Sequence, residues 1–304
     1  MTPVELLAVL EPTAAKLYDR HMGVAKEWFP HEYVPWSRGR DFTPGQPWSP
    51  DDADFGDGGW TLPDAVRAAL FVNLLTEDNL PYYFRDIDRL FGSDSSYGEW
   101  ARNWTAEEGR HSIVMRDYMT VSRAVDPVAL ERARMIQVRG GQVPDPGDAI
   151  EALAYVSMQE LATRISHRNT GKLMKDEIGT AIMSRVGNDE NLHYLFYRDL
   201  TSAALEVDPS TTVIGIERAV RNFEMPGTGI PDYERMAREV ARAGIYDLLI
   251  HHDQILEPVV LRHWKVTELT GLSPEAEQAR EALIKLIERT AKVGKRLAAE
   301  RVDA

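Results

Sequence analysis

The chain has 304 residues with 48 acidic against 35 basic side chains, a formal net charge of -13 and no cysteine. The acidic surplus argues against general binding to nucleic acid or an anionic membrane surface, and the lack of cysteine excludes disulfides, thiol catalysis and any thiolate-held cluster. No stretch is long and apolar enough to span a bilayer, and the N-terminal MTPVELLAVLEPTAAKLYDRH lacks the basic start and small-residue cleavage site of a secretory leader; a cytoplasmic protein without integral membrane association is expected.

In chain order, an amphipathic helix opens the sequence. Residues 28–60, WFPHEYVPWSRGRDFTPGQPWSPDDADFGDGGW, are rich in proline, glycine, aspartate and aromatics, which reads as an ordered irregular cover. From Leu62 onward helical periodicity dominates, with breaks at 92–94, 140–147, 208–210, 226–231 and 271–274. Nothing reads as a sheet. The first long helical segment carries Val66, Leu70, Leu74, Leu80 and Phe84 on one face, and Glu77 interrupts that face in register.

The next segment places Trp100, Ala101 and Trp104 before a Glu-x-x-His motif, Glu108 and His111, with Met115 and Tyr118 after it. A third carries Leu153, Val156 and Thr163 in register with Glu160. The fourth holds a second motif, Glu190 and His193, between Met183 and Val186 on one side and Phe196 and Tyr197 on the other. Residues three apart share a helix face, so each motif offers a carboxylate and an imidazole to one ion.

A single Glu-x-x-His is weak evidence, and a lone glutamate on an apolar face is often satisfied by arginine or backbone donors. The order is decisive: Glu77 to Glu108 spans 31 residues, Glu160 to Glu190 spans 30, and the two halves are offset by 82 to 83. One Glu from each of two helices and Glu-x-x-His from each of two others is the donor set of a carboxylate-bridged dinuclear site in a ferritin-like four-helix bundle. Four buried carboxylates repel one another strongly unless protonated or neutralised, and two divalent cations neutralise them. Mixed carboxylate and imidazole donors suit Fe(II) or Mn(II); iron is favoured, because six ligands shared by two ions leave positions open for dioxygen. The expected fold is therefore all-α, a ferritin-like four-helix bundle with additional helices. A single domain is expected over 1–304: an N-terminal helix and cover at 1–60, the metal-binding bundle at 61–205 and further helices at 206–304.

The words LTEDNLPYY, RNWTAEEGRH, SMQELATRISHRNTGK, DENLHYLFYRD and RHWKVTELTGLS together resemble the soluble acyl-acyl-carrier-protein desaturases of plants and actinobacteria, a likeness running from about Leu10 to Arg296. The resemblance implies a diiron enzyme, with two Fe ions per chain, that removes two hydrogens from an unactivated methylene pair of a saturated acyl chain. Dioxygen and two electrons from reduced ferredoxin are consumed, and a cis alkene and two waters result. The family's iron ligands fall on Glu77, Glu108, His111, Glu160, Glu190 and His193, and its active-site threonine on Thr163. Its proposed electron relay, a tryptophan near the surface, a metal-bound histidine and an aspartate, falls on Trp28, His111 and Asp189, and a homodimer is implied. The run YYFRDIDRL after Pro81 and the tryptophan-rich segment depart from the plant pattern, which leaves acyl length and double-bond position open.

An acyl chain on an acidic carrier protein needs local cations on this acidic chain. Arg164, Arg168, Lys172 and Lys175 form one candidate cluster, and Arg132, Arg134 and Arg139 a second. Trp100 and Trp104 either narrow an acyl tunnel or fill core. No Gly-rich dinucleotide fingerprint is present, so a protein donor rather than NADPH is expected to supply electrons. A related diiron oxidase or hydroxylase, and an iron-oxidising ferritin-like protein, are the competing readings.

Overall fold

The computed structural model describes residues 1–53, 62–225, 227 and 229–302. The expected cover therefore falls outside the described residues at 54–60, and the expected break at 226–231 does so at Pro226 and Thr228. The described residues are helical, without strands. Twelve helices are distinguished among them: α1 Pro3–Val24, α2 Pro30–Tyr33, α3 Asp64–Glu77, α4 Leu80–Phe91, α5 Ser96–Val121, α6 Pro127–Gly140, α7 Ala149–Met174, α8 Glu177–Val207, α9 Pro209–Arg221, α10 Tyr233–Arg242, α11 Leu248–His251 and α12 Pro274–Val302. A π-helical stretch, His252–His263, continues α11.

Local chemistry sets the ends. A capping box between Thr2 and Glu5, with Pro3 in the first turn, starts α1. Asp148 accepts from the amides of Ile150 and Glu151 to start α7, and Asp176 accepts from that of Gly179 to start α8. Between them Lys175 turns the chain with φ 54°. Asp208 closes α8 and opens α9, and also binds the N-terminal ammonium at 2.7 Å.

One expectation needs correcting. The apolar register through Glu77 suggested one helix from Val66 to Phe84, but α3 ends at Glu77 and α4 begins at Leu80. Pro81 has no N–H to give to the carbonyl of Glu77 four residues back, so the ladder stops there. Glu77 is thereby the terminal residue of its helix.

Helices α3, α5, α7 and α8 pack together, α7 along α8, α5 against α3 and α8, and α3 against α7. In α7, 20 of 26 residues are buried, so it is enclosed on all sides. Helix α1 lies on α8 and α5, and α9 packs between α7 and α12. The apolar interior falls into two clusters. One draws on α1, α4, α7, α9, the π-helical stretch and α12, with Trp100, Trp104 and Phe196; the other draws on α3, with Trp28, Val114, Met115, Tyr118, Ile182 and Val186. The Glu-x-x-His motifs lie between them: along α5 the order is Trp104, Glu108, His111, Val114, and along α8 it is Val186, Glu190, His193, Phe196. Among the described residues no helix is long and apolar enough to cross a membrane.

Helix α9 approaches α7 closely at Gly215, where an added Cβ would sit 2.9 Å from Ile150 Cγ2 and 3.1 Å from the Glu151 backbone nitrogen. Gly215→Ala is expected to lower the unfolding free energy by about 1–3 kcal/mol, read as a shift of the denaturant midpoint; an unchanged midpoint would refute this packing.

Candidate metal centre

Six side chains converge at the layer between the two apolar clusters: Glu77 from the end of α3, Glu108 and His111 from α5, Glu160 from α7, and Glu190 and His193 from α8. None is more than 8% exposed. Their donor atoms form two overlapping groups, Glu77, Glu108, His111 and Glu190 in one and Glu108, Glu160, Glu190 and His193 in the other, each with all its atoms within 4.8 Å. Glu108 and Glu190 belong to both, where a carboxylate could serve two ions. His111 Nδ1 lies 2.9 Å from Glu108 Oε2 and 3.5 Å from Glu190 Oε1. His193 Nδ1 lies 2.8 Å from Glu108 Oε1 and 3.5 Å from Glu160 Oε2.

Glu108 Oε1, Glu160 Oε2 and His193 Nδ1 are buried without a hydrogen-bond partner. Lone pairs this close, buried and aimed at one another without hydrogen-bond geometry, are costly unless a cation lies among them. The donor set fits a pair of divalent metals with oxygen and nitrogen preference.

Without metal, the layer is electrostatically frustrated. Burial, and then the charge of Glu108, pushes Glu77 up to about 8. Burial and Glu190 push Glu160 well above the usual carboxylate range. Burial opposes ionisation of Glu190 too, but hydrogen bonds from His111 and His167 hold it low. For His111 and His193 burial disfavours the cation, yet Glu108 and neighbouring acids raise them well above the ordinary imidazole value.

The outward-facing nitrogens also have partners. His111 Nε2 is 3.5 Å from Asp189 Oδ2, which accepts from Trp28 Nε1 at 2.7 Å. His193 Nε2 is 2.9 Å from Glu107 Oε2. A carboxylate on Nε2–H leaves the Nδ1 lone pair for metal. The Thr163 hydroxyl lies 2.9 Å from Glu190 Oε2, and Trp104 donates to Glu160 Oε1 at 3.1 Å.

A narrow cavity of about 60 Å³ reaches the centre. Its walls include Leu80, Ile87, Leu90, Trp104 and Val156, and it ends at Glu77, Glu108, Glu160 and Glu190. A second cavity of about 90 Å³, lined by Asn73, Thr163, His167 and Tyr246, meets the first at Thr76 and Glu77.

The family model described as "Fatty acid desaturase" matches residues 2–304. The chain belongs to the fatty acid desaturase family. It is 40% identical over 297 residues to a Mycobacterium tuberculosis protein named as an acyl-[acyl-carrier-protein] desaturase, DesA1, covering 94% of this chain and 86% of that protein. To the chloroplastic stearoyl-[acyl-carrier-protein] 9-desaturase 6 of Arabidopsis thaliana it is 32% identical over 256 residues, 78% of this chain and 64% of the other. The X-ray structure of DesA2 from M. tuberculosis H37Rv, described as an acyl-ACP desaturase, superposes with a TM-score of 0.69 at 26% identity, covering 90% of this chain and 99% of that one.

Within this desaturase fold the sequence-derived site residues separate in role and depth. The six expected ligands, Thr163 and Asp189 come together. Trp28 reaches Asp189 and is 3% exposed, covered by the partly exposed guanidinium groups of Arg110 and Arg185 at 5.2 and 5.8 Å from its ring. Trp104 lines the first cavity, whereas Trp100 stacks on Phe196 at 3.8 Å and is core. Arg134 is committed to Asp78 and Glu131, while Arg132 and Arg139 are exposed. Lys172 and Lys175 lie beyond Glu160 toward the C-terminal end of α7, whereas the first cavity is walled by the part of α7 up to Glu160.

Sequence reasoning missed Glu107 and His167. Glu107 had a signal: it precedes Glu108 as Asp189 precedes Glu190. His167 Nε2 lies 3.7 Å from Glu77 and 3.5 Å from Glu190, and Asn73 donates to its Nδ1 at 3.2 Å; no spacing rule pointed to it.

Metal uptake must displace protons from this layer. With Glu77 pushed up to about 8, that carboxyl is protonated in the metal-free protein at neutral pH, so affinity for a divalent ion is expected to rise as pH rises toward 8. Proton release on adding Co(II) in weak buffer, read with an indicator dye, checks this; uptake without release at pH 7 would contradict it.

Proposed function

We propose that this protein is a diiron acyl-[acyl-carrier-protein] desaturase that places a cis double bond in a saturated acyl chain. The carrying observation is the pair of overlapping buried donor groups sharing Glu108 and Glu190 at the end of a narrow, largely apolar cavity. The names of the relatives give the substrate class. Overall, one saturated carbon pair, one dioxygen, two electrons and two protons become one alkene and two waters.

The irons would be held by Glu77, Glu108, His111, Glu160, Glu190 and His193. With dioxygen and two electrons they supply an oxidant strong enough for an unactivated C–H bond. The chain's own residues do the rest. Leu80, Ile87, Leu90 and Val156 exclude water and confine the acyl chain, and Trp104 both walls the cavity and orients Glu160. The Thr163 hydroxyl, hydrogen-bonded to Glu190 and bordering the second cavity, would hold a proton beside the metal centre. Confinement of this kind selects one carbon pair among many equivalent ones.

Electrons are taken to come from reduced ferredoxin or a similar small protein, by way of Trp28, Asp189 and His111. The hydrogen bond from Trp28 to Asp189 supports that route. The protein is further read as a cytoplasmic homodimer formed by one 1–304 domain. Val128, Met135 and Ile136 on α6, each more than half exposed, support an apolar contact between copies. Arg132 and Arg139 share that face of α6, so carrier docking there is the alternative to contact between copies.

Reconstitution is expected to give two irons per chain, and aerobic incubation with reduced ferredoxin and acyl carriers of several lengths a product two mass units lighter. Glu108→Ala should cut turnover more than about 100-fold. A hydroxylated product, or a stoichiometry near one iron, would overturn the assignment. Trp28→Phe, which keeps the ring but not the indole donor, should slow ferredoxin-driven turnover while dithionite reduction stays near wild type; equal losses in the two assays would mean that Trp28 only packs.

A further inference from the structure

The two halves of the centre are mirrored beyond the ligand histidines. On the first half, Asp189 joins His111 to Trp28, whose ring stacks on that of His111 with centroids 6.4 Å apart and planes 15° apart. On the second half, Glu107 joins His193 to His21. Glu107 Oε2 lies 2.9 Å from His193 Nε2 and 3.0 Å from His21 Nε2, and Oε1 is 3.2 Å from the same His21 nitrogen. The His21 ring stacks on that of His193 with centroids 5.9 Å apart and planes 23° apart. Between the halves, Arg110 stands 3.9 Å from both Glu107 and Asp189.

We propose that His21 is a positioning residue for the second half of the centre: by clamping both oxygens of Glu107 it fixes the ring orientation and tautomer of His193. The inference rests on the reading of Glu108, Glu160, Glu190 and His193 as metal donors.

The chemistry runs in one direction. A carboxylate only accepts, so both imidazoles that share Glu107 present N–H at Nε2. For His193 this leaves the Nδ1 lone pair toward Glu108 and Glu160, where a metal would sit. A carboxylate held by one donor can rotate about its last bond. The second donor, reaching both oxygens, keeps Oε2 aimed at His193. His21 is 3% exposed at the last turn of α1, is held edge-on against Trp100 at 4.9 Å, and has no hydrogen-bond partner at Nδ1. Its polar contact is therefore spent on Glu107. The N-terminal segment thus supplies both outer partners, His21 from α1 and Trp28 shortly after it.

The test uses the metal-free full chain titrated with Co(II), whose visible absorption reports coordination at each half. Wild type is expected to bind two Co(II), and His193→Ala identifies the band belonging to the second half. His21→Leu should weaken that half alone by about 10–100-fold, and His21→Gln, whose amide can still donate to Glu107, should recover most of the loss. Unchanged binding in His21→Leu overturns the proposal, as does equal weakening of both halves or equal defects in the Leu and Gln variants. Should His21→Leu not fold, as read by far-ultraviolet circular dichroism, Glu107→Gln carries the same comparison; full affinity at both halves there also overturns it. Wild type that binds fewer than two Co(II) would sink the metal-centre reading itself, and this inference with it.

Discussion

Four carboxylates and two imidazoles in one buried layer form the constraint on which the rest of this structure depends. Buried charge without compensation is among the costliest arrangements a fold can hold. Here Glu77 and Glu160 are driven toward the neutral acid, while Glu190 is held ionised by histidine donors. Uneven sharing of protons is how such a layer limits its own repulsion when no cation neutralises it. The two apolar clusters above and below supply the stability that such a layer cannot supply for itself.

Compensation extends outward in shells of decreasing burial. Asp189 and Glu107 take the outward N–H groups of His111 and His193, and Arg110 and Arg185 flank those acids. Burial opposes ionisation of Asp189, but His111 and Trp28 keep it below its ordinary value; His193 and His21 do the same for Glu107. The imidazole rings are oriented by groups that are themselves charged and held, so ring geometry is set by the protein alone.

Helix geometry decides where a cavity reaches the buried carboxylates. Because Pro81 ends α3 at Glu77, α4 is free to wall the first cavity with Leu80, Ile87 and Leu90. The second cavity meets it at Thr76 and Glu77. A continuous helix through Glu77 would have placed these side chains differently, and the terminal position of that carboxylate is the local price of the opening.

The sequence by itself determined the all-helical class, the four central helices and the convergence of Glu77, Glu108, His111, Glu160, Glu190 and His193. These follow from period and spacing, which are local properties of a helix. It also carried Thr163 and Asp189 through family words. Only the tertiary structure decided that Trp28 is buried, that Trp100 is core while Trp104 lines a cavity, that His167 faces Glu77 and Glu190, and that His21 stands behind Glu107. His21 meets Glu107 across 86 residues, and His167 meets Asn73 across 94. Such pairings depend on how α1 lies against α5 and how α3 lies against α7, and helical periodicity fixes which face of a helix is buried but not which residue of another helix it meets.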